Sequence, residues 1–159
     1  MNLQTQRLKI VPCTKQALSN FSREEYEIGP HIIQYLVDLE EDSTLSGWGV
    51  WLVINKETNT IIGDIGFKGK PNSEHTVEVG YGIIPSAQNK GYATEAVKEI
   101  IEWAFSFKNV NKVIAECLVD NISSTRVLEK LSMNKIGVVD AMLKWQLEKD
   151  IFVSIKKKY

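Results

Sequence analysis

The chain has 159 residues, with 19 Lys or Arg against 20 Asp or Glu, so its formal net charge is −1. This length predicts one domain around a single core, spanning residues 1–159. The balanced charge argues against general nucleic-acid binding, which usually needs a basic face, but it permits a small anionic ligand. No apolar run approaches the roughly 20 residues that cross a bilayer, and no signal-peptide pattern is present. We therefore expect a cytoplasmic protein with no membrane contact.

The first half of the chain predicts one strand, two helices and three further strands. Alternation of apolar and polar residues indicates the strands, and an apolar face at helical spacing indicates the helices. Pro12 stops the first strand, and Thr14 can cap the first helix. The segments are RLKIVP (7–12), TKQALSNF (14–21), PHIIQYLVDLEED (30–42), WGVWLVIN (48–55), TIIGDIGFKG (60–69) and TVEVGYGII (76–84).

The second half predicts a helix, a strand, another helix and two final strands. The helix that begins at Gly91 has the most regular pattern, with apolar residues on one side and charges on the other. The remaining segments are NKVIAECLV (111–119), DNISSTRVLEKL (120–131) and KIGVVDAMLKWQLEKDIFVSI (135–155), the last read as two strands. Consecutive strands followed by strand–helix–strand predict a mixed sheet with helices packed on it, an α+β or mixed α/β fold.

The turn SAQNKGYATEAV (86–97) predicts a phosphate site at the start of the best helix. A helix N-terminus offers free N–H groups and a positive dipole end. Gly91 lets the backbone approach a ligand closely, and Lys90 supplies a charge. The alternative is that Gly91 only eases the turn between strand and helix.

Two common phosphate loops are excluded, and two strand glycines suggest another arrangement. A P-loop needs Gly-Lys before Ser or Thr, whereas Lys90 and Gly91 stand in the reverse order. A dinucleotide-binding fingerprint needs a third glycine where this chain has Pro85. Gly80 and Gly82 predict a bulge that separates this strand from its neighbour and frees amide groups for an extended ligand arm.

Four segments together resemble the GNAT-type N-acetyltransferases, and most of all their ribosomal-protein N-terminal acetyltransferase branch. The family's loop is Gln or Arg, two residues, Gly, one residue, then Gly or Ala, which QNKGYA (88–93) matches. The likeness spans nearly the whole chain in the right order. The other matching segments are TQRLKIVP (5–12), EVGYGIIP (78–85) and NISSTRVLEKL (121–131).

The resemblance implies a three-layer α/β/α fold whose mixed, mostly antiparallel, twisted sheet is splayed between its fourth and fifth strands. It also implies acetyl-CoA as co-substrate in that cleft, with the pyrophosphate on the N–H groups of residues 89–94. The pantetheine arm would pair with the backbone near Ile83 and Ile84 and with Asn121, and its sulfur would lie near Ser124. The implied cofactor-binding residues are Ile83, Ile84, Gln88, Asn89, Lys90, Gly91, Tyr92, Ala93, Thr94 and Asn121.

The chain departs from the family pattern at two places. Many members carry a tyrosine acid four residues beyond the position of Ser124, where this chain has Leu128. The Gly-aromatic pair that usually ends this helix is replaced by Ser132 and Met133, which we expect to alter only local packing.

Acetyl transfer to an amine needs a neutral nucleophile, donors for the developing oxyanion and a proton for the leaving thiolate. We expect a backbone N–H near Ile84 to serve the oxyanion. Ser124 is the first choice to protonate the sulfur, although it can also serve only as a helix-capping residue. Glu78 shares a strand face with the two glycines and is the first choice for the base. The weaker candidates are Asp64, His75 and Glu116. For each of these residues and for Glu78, the alternative is a solvated or paired surface charge with no catalytic role, and water is the alternative base.

These expectations favour an acetyl-CoA-dependent N-acetyltransferase that works by direct attack of a primary amine in a ternary complex. Neither Cys13 nor Cys117 lies in a nucleophile pattern or a zinc spacing, so we expect no acyl-enzyme and no metal. The acceptor (protein N-terminus, polyamine, amino acid or aminoglycoside) is left open, with its binding loops expected within residues 21–43. The alternatives are an inactive acyl-CoA sensor or interaction module and a nucleotide-binding domain. A homodimer is also left open.

Overall fold

The computed structural model describes residues 1–156, which form one eight-stranded sheet with five α-helices. The strands lie in the order β1-β2-β3-β4-β5-β6-β8-β7. The strands are β1 (Leu3–Gln4), β2 (Leu8–Pro12), β3 (Val50–Asn55), β4 (Thr60–Phe67), β5 (Thr76–Ile83), β6 (Lys112–Leu118), β7 (Asn134–Val139) and β8 (Met142–Glu148). The helices are α1 (Lys15–Asn20), α2 (Pro30–Glu41), α3 (Tyr92–Phe105), α4 (Ile122–Lys130) and α5 (Lys149–Lys156).

The sheet is mixed, as the segment order predicts. Strands β1 to β5 form an antiparallel meander, and β6, β8 and β7 are also antiparallel to one another. The pair β5–β6 is parallel, because α3 carries the chain back across the sheet between them. Such a crossover is the usual way to join parallel neighbours.

Helices cover the sheet on two faces and produce two cores. On one face, α3 buries an apolar stripe that includes Val97, Ile100 and Ile101 against the middle of the sheet. On the other face, α1 and α2 bury Leu18 and Ile32 over the strands of the N-terminal half. The expected three-layer α/β/α arrangement is therefore confirmed.

A gap opens between β5 and β6. Their parallel pairing covers only residues 76–78 of β5 with residues 112–114 of β6, and beyond these residues both strands continue unpaired with each other. Counted from β2, the first strand that the sequence predicts, the gap lies between the fourth and fifth strands, as expected. It leaves backbone groups of β5 without a neighbouring strand.

The predicted bulge at Gly80 and Gly82 is wrong. The register of β4 with β5 runs unbroken across both glycines, and the irregularity in the meander lies between Val53 and Ile54 of β3. The gap forms because pairing with β6 ends. The glycines instead leave one face of β5 bare, since a Cβ at Gly82 would meet no heavy atom within 4 Å.

The end of the chain is also corrected. Two strands follow α4 as predicted, but residues 149–155 belong to helix α5 instead of extending the last strand. Phe152 is buried against Phe105 of α3, with ring centroids 5.3 Å apart. Tertiary packing on α3 therefore decides the conformation of a segment whose short apolar pattern is ambiguous. None of the helices within residues 1–156 is long and apolar enough to span a bilayer.

Candidate active site

The turn before α3 presents a row of unpaired backbone N–H groups. Asn89 and Gly91 both have positive φ, 62° and 82°, so a residue in the left-handed conformation stands on each side of Lys90 as the chain enters the helix. Within residues 1–156, the N–H groups of residues 89–94 make no hydrogen bond, and the first helical bond is from Glu95 N to Gly91 O. Such a concave row of amides at a helix N-terminus binds anions.

The side chain of Arg7 holds this turn in place from the start of β2. Its Nη1 donates to the carbonyl oxygen of Lys90 at 2.8 Å, and its guanidinium lies 4.3 Å from the ring centroid of Tyr92. Its Nε and backbone N–H both donate to the carboxylate of Glu95, at 2.8 and 3.0 Å. Thr5 Oγ1 donates to the same carboxylate. The N-terminal segment and the turn before α3 are therefore one hydrogen-bonded unit.

The charge of Glu95 is stabilised within this unit. Burial acts to raise the pKa of its carboxyl, but the hydrogen bonds from Thr5 and Arg7 outweigh burial and lower the pKa below its ordinary value. The carboxylate also lies in the first turn of α3, where the helix dipole favours a negative charge. The turn is therefore anchored by an ionised group at neutral pH.

The free edge of β5 lines the gap with backbone groups of odd-numbered residues. Lys68 N donates to Glu78 O and Ile84 N donates to Ile62 O, both at 2.9 Å. Because hydrogen-bonded positions alternate in an antiparallel pair, the even residues of β5 bond to β4 and the odd ones face the gap. Tyr81 and Ile83 therefore offer backbone groups to a ligand arm.

A donor for the oxyanion is expected near Ile84, but the N–H of Ile84 itself is already bonded to the carbonyl oxygen of Ile62. The carbonyl of Ile83 is engaged as well, because Gln88 Nε2 donates to it at 2.9 Å. The donors that face the gap are the N–H groups of Tyr81 and Ile83.

Helix α4 forms the opposite wall. Asn121 caps it, with Oδ1 accepting a hydrogen bond from Ser124 N at 3.1 Å, so this oxygen is occupied by the helix. The hydroxyl of Tyr81 reaches across from β5 to the carbonyl oxygen of Ser124 at 3.4 Å. Leu128 is fully buried, so a core residue occupies the position at which many family members carry a tyrosine.

The gap and the turn enclose one cavity of about 550 Å³. Nine of the predicted residues line it: Ile83, Gln88, Asn89, Gly91, Tyr92, Ala93, Thr94, Asn121 and Ser124. Ile84 and Lys90 line a neighbouring cavity of about 160 Å³ instead, and Glu78 lines neither. The structure thus brings most of the predicted site together around one space.

The cationic side chains of the cavity belong to two residues outside the set predicted from the sequence. Arg126 and Lys130 line it from α4, four residues apart and so on one face of that helix. Their spacing behind the Asn121 cap was the available signal. Arg is suited to phosphate oxygens, and Lys adds a mobile point charge.

Glu78 lies within a network of alternating charges on the face of the sheet that is turned away from α3. Its carboxylate is 2.6 Å from Lys68 Nζ, which also lies 3.6 Å from Glu116. Glu116 is paired in turn with Lys144, whose hydrogen bond lowers the pKa of that carboxyl. His75 precedes β5 at the end away from the gap.

Asp64, one of the weaker candidates, has a more specific environment. The hydroxyl of Tyr26 donates to its Oδ2 at 2.7 Å, and His31 Nε2 lies 3.2 Å from its Oδ1. Asp64 is the register partner of Gly82, which lines the large cavity. Nearby, burial and then the charge of Asp64 raise the pKa of the Cys13 thiol to about 12, which disfavours the thiolate that a nucleophile needs.

An open parallel pair with an amide-rich helix start at its mouth is an arrangement suited to a phosphate-bearing, extended ligand. Residues 13–134 match the family described as Acetyltransferase (GNAT) domain. The chain therefore belongs to the GNAT acetyltransferases. Among residues 1–156, no group of three His, Cys, Asp or Glu side chains is placed to hold a metal ion.

One similar relative is uncharacterized N-acetyltransferase YjdG of Bacillus subtilis, 33% identical over 67% of this chain and 61% of that protein. The chain spans less than two thirds of the length of the first curated relatives that it matches. Ribosomal-protein-S5-alanine acetyltransferase from Vibrio fischeri has the same fold, with a TM-score of 0.74 at 18% identity, over 96% of this chain and 98% of that one. Spermidine N-acetyltransferase from Vibrio cholerae, solved with CoA and spermine, has a TM-score of 0.70 at 14% identity, over 94% and 99%.

Proposed function

We propose that the protein transfers the acetyl group of acetyl-CoA to a primary amine, by direct attack in a ternary complex. The observation that carries this proposal is the continuous path from the free amides of residues 89–94 to the unpaired edge of β5. The amides suit a pyrophosphate, and the strand edge suits the amide-containing arm that follows it. Acetyl-CoA supplies the activated acetyl group, and it is the ligand class with these parts in this order.

The cleft residues have separable tasks in this proposal. The amides of the turn, together with Arg126 and Lys130, bind the phosphates. The odd residues of β5, Tyr81 and Ile83, pair with the arm and donate to the carbonyl oxygen as it gains charge. The cofactor-binding set proposed from the resemblance is kept, with Ile84 and Lys90 as its least supported members because they line the smaller cavity.

Direct attack is favoured over an acyl-enzyme by the state of the cysteines. Cys13 is fully buried and its pKa is raised, and Cys117 is also buried. Neither presents an accessible thiolate of the kind that a covalent route requires. We therefore expect replacement of Cys13 by Ala to leave turnover within twofold of the unmodified protein.

Ser124 is proposed as the group that hydrogen-bonds or protonates the departing sulfur, and it lines the cavity. Ser124→Ala is expected to lower kcat about tenfold or more with an unchanged dissociation constant for CoA, within the range of general acid catalysis. Ser123→Ala, one residue earlier on the same helix, is the matched control. Equal turnover in both variants would remove Ser124 from the mechanism.

Glu78 stays the proposed base from the sequence, and a pH–rate profile tests it. Glu78→Gln should abolish the acid-side titration of kcat/KM if Glu78 is the base. An unchanged profile assigns the proton to another group or to water.

The experiment that tests the function is a panel of primary amines in a thiol-release assay with acetyl-CoA. The panel contains spermidine, lysine, an aminoglycoside and a peptide with a free N-terminal alanine. We expect CoA release that depends on one class of amine, with the acetylated amine confirmed by mass spectrometry. The neighbours named for ribosomal-protein and spermidine acetylation support the inclusion of peptide and polyamine.

A second candidate function is an acyl-CoA sensor that retains the fold without turnover. Buried Leu128, at the position of the family's tyrosine acid, favours it. Tight binding of acetyl-CoA with no CoA release for any amine would support the sensor and reject the enzyme. A cytoplasmic location stays a prediction, and the oligomeric state stays open.

A further inference from the structure

Three polar side chains form a group on the α2 face of the sheet, outside the cleft that holds the donor. Asp64 of β4 accepts a hydrogen bond from the hydroxyl of Tyr26 at 2.7 Å and lies 3.2 Å from His31 Nε2. We call these residues the Asp64 group. None of the three lines either cavity, and the proposed donor site does not use them.

The Asp64 group lies one strand away from the cleft. Asp64 and Gly82 are register partners, so their side-chain positions are on the same face, and neighbouring strands are about 4.8 Å apart. A Cβ at Gly82 would meet no heavy atom within 4 Å, and one at Gly80 would meet only the end of Lys68, at 4.0 Å. The two glycines therefore leave this face of β5 without side chains between the strand that carries Asp64 and the cavity that Gly82 lines, and we call this bare stretch the passage.

The group has a negative charge that few neighbours compensate. The Asp64 side chain is only 20% exposed, and its only ion-pair partner within the described chain is His31, which is 58% exposed. Burial and then the hydrogen bond to Asp64 raise the pKa of Tyr26, so its hydroxyl stays a donor that orients the carboxylate. The arrangement is a partly buried carboxylate, oriented by the Tyr26 hydroxyl, with a more exposed imidazole beside it.

We propose that Asp64 binds the ammonium group of the acetyl acceptor and that His31 takes up the first proton that this ammonium releases. The inference rests on the proposed function, because it assumes an acceptor amine that attacks from the α2 face. A partly buried carboxylate attracts and orients a cation, and imidazole is the side chain that exchanges protons most readily near neutral pH. Tyr26 is a positioning residue for Asp64.

The proton balance of the step is complete. The acceptor ammonium gives one proton to His31, which passes it to water, and the neutral amine then attacks the thioester carbon. The new C–N bond forms as the C–S bond breaks, and the second proton of the nitrogen ends on the departing sulfur. The products are the amide, CoA as the thiol and one proton in solution.

The chemistry of the group defines the acceptor class. An acceptor that carries its ammonium on a slender carbon chain can bind at Asp64 and then reach the cleft over the bare glycines. An amine that is uncharged at neutral pH, such as hydroxylamine, gains nothing from the carboxylate. We therefore expect the Asp64 group to discriminate acceptors by charge.

The test uses the full chain, acetyl-CoA and the amine from the panel that the unmodified protein acetylates fastest. Asp64→Asn is expected to lower kcat/KM for that amine about 10- to 100-fold, the range for loss of a charged hydrogen-bond partner, mostly through a higher KM. The rate with hydroxylamine and the affinity for CoA should change less than threefold. His31→Gln should lower kcat more than it raises KM.

Glu40→Gln is the matched control, because Glu40 is an exposed carboxylate of α2 whose pair with Lys15 is also exposed. It should leave all parameters within twofold. Asp64→Glu should restore part of the lost affinity for the amine. Equal kcat/KM for Asp64→Asn and the unmodified protein overturns the proposal, and so does an equal loss with hydroxylamine.

A second variant decides the matter if Asp64→Asn fails to fold. Gly80→Val adds a side chain on the same strand face, at a position that lines neither cavity and where a Cβ would meet only the end of Lys68, at 4.0 Å, so the fold should tolerate it while the passage over β5 is narrowed. A raised KM for the amine at unchanged affinity for CoA supports the inference, and an unchanged KM overturns it. An unmodified protein that binds CoA but acetylates no amine would instead reject the proposed function.

Discussion

Replacing Glu95 by Gln tests whether the phosphate turn is anchored by an ionised carboxylate. The carboxylate accepts from Arg7 Nε at 2.8 Å, from Arg7 N at 3.0 Å and from Thr5 Oγ1. The amide keeps one acceptor oxygen but presents an NH₂ group where the other oxygen accepted two hydrogen bonds. Charge-assisted bonds contribute about 1.5–3 kcal/mol each, and the Arg7 side chain is 41% exposed, so we expect a net loss of about 1–2 kcal/mol.

Urea unfolding at pH 7 measures this loss. With an m-value of about 2 kcal/mol per molar urea, the midpoint should fall by about 0.5–1 M. Glu99→Gln, one turn later on α3, is the control with the opposite sign, because burial and then the charge of Glu102 raise the pKa of Glu99. Removal of that disfavoured charge should leave the stability unchanged or slightly raised.

The pH dependence supplies a second check. The folded pKa of Glu95 is below its ordinary value near 4.5, so the carboxylate stabilises the fold fully above that value. The stabilisation is lost as the pH falls through the lower folded pKa, and the difference between the unmodified protein and Glu95→Gln should shrink there. Equal midpoints at pH 7, or a difference that persists undiminished in acid, would refute the anchoring role of Glu95.

Three further predictions follow from the turn, from α4 and from its C-terminus. Gly91→Ala should lower the free energy of unfolding by about 1–2 kcal/mol and weaken CoA binding, because φ is +82° and a Cβ would lie 3.3 Å from Arg7 Nη2; denaturation and calorimetry check both. Arg126→Ala should weaken CoA binding about tenfold and Lys90→Ala less than threefold, because of these two residues Arg126 lines the large cavity and Lys90 does not. A larger loss of affinity for Lys90→Ala in calorimetry would restore Lys90 as the cation that binds the phosphates. Ser132→Gly should raise the thermal midpoint and increase the free energy of unfolding by about 0.5–1 kcal/mol, because Ser132 has φ 63°, a conformation in which glycine is unstrained. An unchanged or lower midpoint would contradict this prediction.

The end of α4 shows how Ser132 and Met133 stand in for the Gly-aromatic pair of the family pattern. Ser132 N donates to Glu129 O at 2.9 Å and Met133 N to Leu128 O at 3.1 Å, the two hydrogen bonds that close a helix with a left-handed residue. Met133 is buried beside Leu128. The helix therefore ends as it would with glycine and an aromatic residue, and the difference is one of local strain and packing.

Local pattern was sufficient where the determining contacts are close in the chain. The apolar stripe of α3, the left-handed Gly91 and the cap at Asn121 each depend on residues within a few positions, so the sequence predicted the turn and both cleft helices. The same locality explains the family resemblance, because the amide row after Gln88 is made by the backbone of one short segment.

Tertiary structure decided whatever depends on residues far apart in the chain. Arg7 and Glu95 meet because β2 and α3 pack together, and Asp64 meets Tyr26 and His31 because α2 and its preceding loop cover one half of the sheet. Helix α5 forms because Phe152 packs against Phe105 of α3. Hydrogen bonds and burial of this kind are set by the packing of whole elements, which the spacing of residues along the chain does not contain.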